Sequence, residues 1–128
     1  MAHQVRDIGV ARNIGKYSDA IEAAPGLRWL YSAGTPGMTT GGELPAGIEG
    51  QARLAWQNVM EILKKANMSV RDLVKVTSWL TNAADIPAYA KVRTEFLGDA
   101  QPAFMLAIVP ALIRPAVLVE IEIVAAAK

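Results

Sequence analysis

The segment Ala116-Val117-Leu118-Val119-Glu120-Ile121-Glu122-Ile123-Val124-Ala125 decides the fold. Side chains alternate across a β-strand, so Val117, Val119, Ile121 and Ile123 share one face, suited to packing against helices. Ala116, Leu118, Glu120, Glu122 and Val124 share the other, which must meet solvent or another subunit. That second face carries two carboxylates inside an otherwise apolar strand. A carboxylate placed there costs free energy unless it is hydrogen-bonded, paired or used. Three readings stay open for Glu120 and Glu122: solvation, an ion pair with a neighbouring Lys or Arg, or a chemical role.

Working back from this strand, Ala103 to Ile113 reads as its predecessor, joined to it by a hairpin turn at Arg114-Pro115. Val74 to Thr81 also alternates, with Val74, Val76, Ser78 and Leu80 on one side and Lys75, Thr77, Trp79 and Thr81 on the other. A helix precedes it: Ile48, Ala52, Ala55, Val59, Ile62, Leu63 and Ala66 recur at three- and four-residue spacing. Asn67 is a natural stop and Ser69-Val70-Arg71-Asp72 a capped single turn. A second helix follows the middle strand, capped by Asn82 or Asp85, with Pro87 in its first turn. Its apolar stripe is Ile86, Tyr89, Val92 and Phe96, and Gly98 ends it. The first thirty or so residues read as short strands and turns. Leu27 to Gly34 then forms an aromatic-rich strand, leading into a Gly/Pro/Thr-rich loop from Thr35 to Gly47. The order of strands, helix, strand, helix, strands predicts a single α+β domain over residues 1–128, a mixed sheet with two helices on one face.

Composition narrows the partners. The chain is 52% hydrophobic and 20% charged, both shifted toward apolar for a domain of this size. A small monomer has difficulty hiding that surface, which predicts self-assembly. Thirteen Lys and Arg balance 12 Asp and Glu, with no basic stripe, so nucleic acid is not an expected partner. No apolar run is long enough for a membrane span, and the first seven residues lack the apolar core of a secretory leader. With no cysteine, disulfides and zinc–thiolate sites are excluded. The expectation is a cytoplasmic protein without metal or cofactor. His3, the lone histidine, is expected near a frayed terminus.

Six segments in order resemble the Rid family, the reactive intermediate deaminases also described as endoribonuclease L-PSP. They are Ile14-Gly15-Lys16-Tyr17-Ser18-Asp19-Ala20; Tyr31-Ser32-Ala33-Gly34; Gln51-Ala52-Arg53 with Asn58; Asp72-Leu73-Val74-Lys75-Val76-Thr77; Phe96 followed by Pro102-Ala103; and Val119-Glu120-Ile121-Glu122. The resemblance implies a fold like the small trimeric chorismate mutases. Three subunits would join their bare sheet faces into a closed barrel, with clefts between neighbours for small carboxylated ligands. It implies hydrolysis of enamines and imines such as 2-aminoacrylate to a keto acid and ammonia. Tyr17 and Glu120 would then be catalytic, Glu120 orienting or activating a water. Gly34, Thr35, Trp79, Phe104 and Leu106 would lie around the ligand.

The resemblance breaks at Phe104. The deaminases carry an arginine directly after the Pro-Ala pair, which grips the substrate carboxylate with two parallel hydrogen bonds. Here Phe104 follows Pro102-Ala103, Leu106 replaces a small polar residue or cysteine, and Ala90 stands where many members have asparagine. Arg28, Arg93 and Arg114 are alternative cations, with Lys16 and Arg53 nearer the matched motifs, and none is assigned. Two functions follow. One is an imine or enamine hydrolase other than a classical 2-aminoacrylate deaminase; the other is a non-catalytic trimeric protein that binds or protects a small molecule.

Overall fold

The structure, a computed structural model, describes residues 3–128. Met1 and Ala2, the start of the segment read for a leader, lie outside them. The elements are β1 (Gln4–Val5), β2 (Ile21–Glu22), β3 (Arg28–Tyr31), β4 (Thr35–Pro36), α1 (Gly47–Lys65), β5 (Leu73–Leu80), α2 (Ile86–Leu97), β6 (Ala103–Ile108) and β7 (Val119–Ala127). The main sheet runs β3-β7-β5-β6, with β4 also on β7. β7 is antiparallel to β5 on one side and to β3 and β4 on the other, while β6 is parallel to β5. The mixed α+β architecture expected from the sequence is the one observed. Among the described residues, no helix is long and apolar enough to cross a membrane.

The last two strands correct the hairpin expectation. β6 and β7 do not pair; β5 lies between them, and residues 109–118 carry the chain across its end. Pro110 explains the early end of β6. Proline has no N–H for a sheet ladder, and the last backbone bond of this edge is Val109 N–H to the Leu80 carbonyl at 2.8 Å. The side-chain phase of the last strand survives this rearrangement. Val117, Val119, Ile121 and Ile123 are buried, whereas Leu118, Glu120, Glu122 and Val124 are half-buried on the opposite face.

The core lies between the sheet and the two helices. α1 contributes Ala52, Ala55, Val59 and Leu63, as the spacing predicts, together with Trp56, which the periodicity missed. β5 contributes Val76, Ser78 and Leu80, but Leu73 takes the core position expected of Val74. The cause is a bulge: Leu73 pairs with Ala125 and Lys75 with Val124, leaving Val74 as the extra residue that shifts the alternation. Ser78 escapes the cost of an unpaired buried hydroxyl through a short hydrogen bond with Tyr89 of α2. Burial pushes the Tyr89 phenol up to about 12. Asn67 ends α1 with a left-handed φ of 55°, and Ser69 and Asp72 form a reciprocal capping box. Asn82 caps the short turn Ala83–Asp85 that leads into α2. His3 is not frayed: it is buried, its ring 2.9 Å from the Asp72 carbonyl oxygen.

Two amides of α1 hold the neighbouring chain in place. Gln51 donates to the carbonyls of Pro45 and Ala116 and accepts from Leu118 N–H. Asn58 donates to the carbonyls of Pro36 and Met38. Between them Gly37 packs so closely on α1 that a Cβ would stand 2.0 Å from the Gln51 carbonyl oxygen. Backbone cannot rotate away as a side chain can. Gly37→Ala should therefore cost about 3 kcal/mol, the upper end of overpacking penalties, read by chemical denaturation; an unchanged midpoint would contradict this packing.

Candidate functional site

The site begins with a carboxylate that organises the N-terminal loop. Asp19 accepts N–H groups from Ile8, Gly9, Val10 and Ala11. The Ile8 bond is the largest of the effects that hold its carboxyl below the ordinary carboxylate range. The neighbouring Ser18 docks on the start of β6: its N–H donates to the Pro102 carbonyl and its hydroxyl to that of Gln101. Together these bonds explain why Tyr17 sits in a fixed place. Its ring meets Phe104 with centroids 5.8 Å apart and planes tilted by 55°, within the range of favourable aromatic pairs.

Phe104 and Leu106 lie on the helix side of the sheet, because β6 is in parallel register with β5: Phe104 opposes Val76, and Leu106 opposes Ser78. With Tyr17, Ile14 and Gly15 from the loop and Ile86, Ala90 and Arg93 from α2, they line an open, mainly apolar cleft of about 430 Å³. Arg93 is one of the five candidate cations, and it is the one that lines this cleft. Its guanidinium carbon lies 4.4 Å from the Phe104 ring centroid and 6.0 Å from that of Tyr89. Burial holds its pKa below the usual arginine range, partly offset by Tyr89 and Tyr17. A signal for it existed in the sequence. Arg93 is four residues after Tyr89 and seven after Ile86, so it falls on the inward stripe of α2, where a charge is anomalous.

Glu120 stands on the opposite, helix-free face. Trp79 is its register partner on β5, and both are half-buried there. Glu120 forms no ion pair among the described residues, and neither does Glu122, so pairing among these residues does not explain either. Gly34 is shaped around Glu120: a Cβ on Gly34 would fall 2.6 Å from Glu120 Oε1. Thr35 is placed elsewhere. It opposes Ile121 and so turns to the helix side, near Asn58 and Ile62, with its hydroxyl on the Ala33 carbonyl. The structure thus brings together Tyr17, Phe104 and Leu106, and separately Gly34, Trp79 and Glu120, with the thickness of the sheet between the two groups. Of the other cations, Arg53 pairs with Glu95, and Arg28 donates to the carbonyls of Ala66 and Lys128.

Comparison with known proteins places this architecture. The family model described as Endoribonuclease L-PSP matches residues 10–127. A RutC family protein of Pyrococcus horikoshii is 36% identical over 114 residues, 88% of this chain and 87% of that protein. TdcF of Escherichia coli, whose name includes reactive intermediate deaminase, is 31% identical over 91 residues, 71% of this chain and 69% of its own. The crystal structure of TdcF with bound serine superposes with a TM-score of 0.74 at 28% identity, covering 90% of this chain and 91% of that one. YyfB of Yersinia pestis, described as a Rid-family protein of unknown function, superposes with a TM-score of 0.85 at 26% identity, covering 98% of both chains.

The close approach at Gly34 is testable without an assay. The obstructing atom is the end of a flexible side chain, not backbone, so Gly34→Ala should cost less than about 1 kcal/mol while swinging the Glu120 carboxylate out of its present place. A crystal structure of the variant with the carboxylate unmoved would contradict the geometry.

Proposed function

We propose a function from one established premise: the chain belongs to the Rid family, whose model carries the description Endoribonuclease L-PSP. The protein acts as a hydrolase of small imines or enamines, releasing a carbonyl compound and ammonia in clefts between the subunits of a homotrimer. The observation that carries this reading is Glu120, a half-buried carboxylate with no ion-pair partner among the described residues, set against a glycine that leaves it room. Such a group can take a proton from water as the water oxygen bonds to the imine carbon. The nitrogen then gains protons and leaves as ammonia when the C–N bond breaks. The deaminase name of TdcF supports the same chemistry.

Exposure and the placement of the candidate residues support the trimer. On the helix-free face Trp29, Tyr31 and Met105 remain 48%, 72% and 54% exposed, a surface that a monomer has reason to cover. Tyr17 and Phe104 lie on the other side of the sheet from Glu120, so one chain supplies only half of each cleft. We assign the working compartment to the cytoplasm, consistent with a chain that has no cysteine. The endoribonuclease label of the family is not adopted, since a net charge of +1 without a basic stripe offers little to a phosphate backbone.

Phe104 sets this protein apart from a classical 2-aminoacrylate deaminase. Without the arginine at that position, a charge-assisted hydrogen bond worth about 1.5–3 kcal/mol is missing from its usual place. That loss favours a second reading, a trimer that binds a small molecule without turnover. The two separate on Glu120→Gln, which keeps size and hydrogen bonding but removes the base. The native protein should accelerate hydrolysis of imines generated in situ by an amino-acid oxidase, and the variant should lose that activity. Light scattering should give the mass of three chains for both. Unchanged turnover in the variant, or a single-chain mass at micromolar concentration, would overturn the reading.

A further inference from the structure

We propose that Arg93 is the anion anchor of the helix-side cleft, and that it selects carboxylates carrying an aromatic or bulky apolar side chain. The substrate class is then the imino acids derived from such amino acids, which rests on the hydrolase reading above. Arg93 projects from α2 over the face of Phe104, 4.4 Å from the ring centroid. A guanidinium held over a ring face spends no conventional hydrogen bond on that ring, so its N–H donors stay available to a ligand. Those donors can grip a carboxylate by two parallel hydrogen bonds.

Two further observations separate this arginine from a packed surface residue. It is half-buried, yet among the described residues it forms no ion pair, although Arg6 and Arg53 both do. A partly desolvated cation without a counter-ion is costly unless a ligand completes it. It is also the one cation among the residues lining this cleft. Lys16 and Arg12 are exposed in the adjoining depression, which meets this cleft at Gly15 and Tyr17 but holds the carboxylates Asp7 and Asp19, and Arg114 is exposed in the crossover.

The walls define the rest of the ligand. Ile14, Ile86, Ala90 and Leu106 offer no polar side-chain atom, so specificity for the body of the ligand is hydrophobic. At about 430 Å³ the cleft falls among sites for sizeable organic ligands. A three-carbon acid held by Arg93 would leave most of that apolar wall in contact with water. An aromatic side chain would cover it.

The test is titration calorimetry of the assembled native protein with benzoate and with benzamide, its neutral counterpart of similar shape. Benzoate should bind at least tenfold more tightly than benzamide. Arg93→Gln should weaken benzoate by roughly ten- to hundredfold, the loss expected for charge-assisted hydrogen bonds, while benzamide stays as it was. If the glutamine variant does not assemble, Arg93→Lys decides: it keeps the charge but not the planar fork, and should weaken benzoate severalfold. Equal affinities for the two probes, no native binding of benzoate, or benzoate affinity unchanged in the variant that assembles would each overturn the proposal. Binding needs no turnover, so failure of the Glu120 chemistry would leave benzoate binding intact, and failure of the anchor would leave Glu120-dependent hydrolysis intact.

Discussion

The alternation of β7 is the constraint on which the rest of the molecule depends. This strand is paired along both edges, to β5 on one side and to β3 and β4 on the other. Val119, Ile121 and Ile123 close the core against the helices, and Glu120 is thereby committed to the opposite face. Slipping the register by one residue would bury both carboxylates and expose the isoleucines. Core burial therefore specifies where the carboxylate stands, with no separate device needed to aim it.

The same logic operates on β6, with the opposite result. Its parallel register with β5 turns Phe104 and Leu106 toward α2, away from Glu120. Tyr17 reaches Phe104 because Asp19 gathers four backbone N–H groups and Ser18 bonds to the strand start. A folded chain thus presents the two groups on opposite surfaces. That division makes assembly part of the proposed chemistry, beyond its value in covering apolar surface.

Much of this was legible in the sequence, because each clear element repeats one physical period. The faces of β7, the α1 stripe, the Asn67 stop and the Ser69 capping box all follow from local spacing and capping chemistry. What escaped depends on pairing between distant segments. Arg114-Pro115 looked like a hairpin turn because nothing local reveals that β5 inserts between β6 and β7. Val74 gave its core position to Leu73 through a bulge that only the partner strand discloses. Thr35 stands one residue beyond Gly34 but faces the helix side, since strand alternation separates neighbours. Arg93 carried a readable signal, a charge on an apolar helix stripe, but its significance appears only with Phe104 beneath it.

In the proposed assembly one site is completed by two subunits, with Arg93 supplied by one and Glu120 by its neighbour. Complementation tests it most directly. Arg93→Gln and Glu120→Gln proteins would be assayed separately on imines of aromatic amino acids, then unfolded together, refolded as mixed assemblies and assayed again. Arg93→Gln alone should be strongly impaired and Glu120→Gln alone inactive, and mixing should raise activity well above either, because some clefts then combine an intact Arg93 with an intact Glu120. Variants that fold and mix without any gain in activity would show that the two groups do not meet across a subunit boundary, and would contradict it.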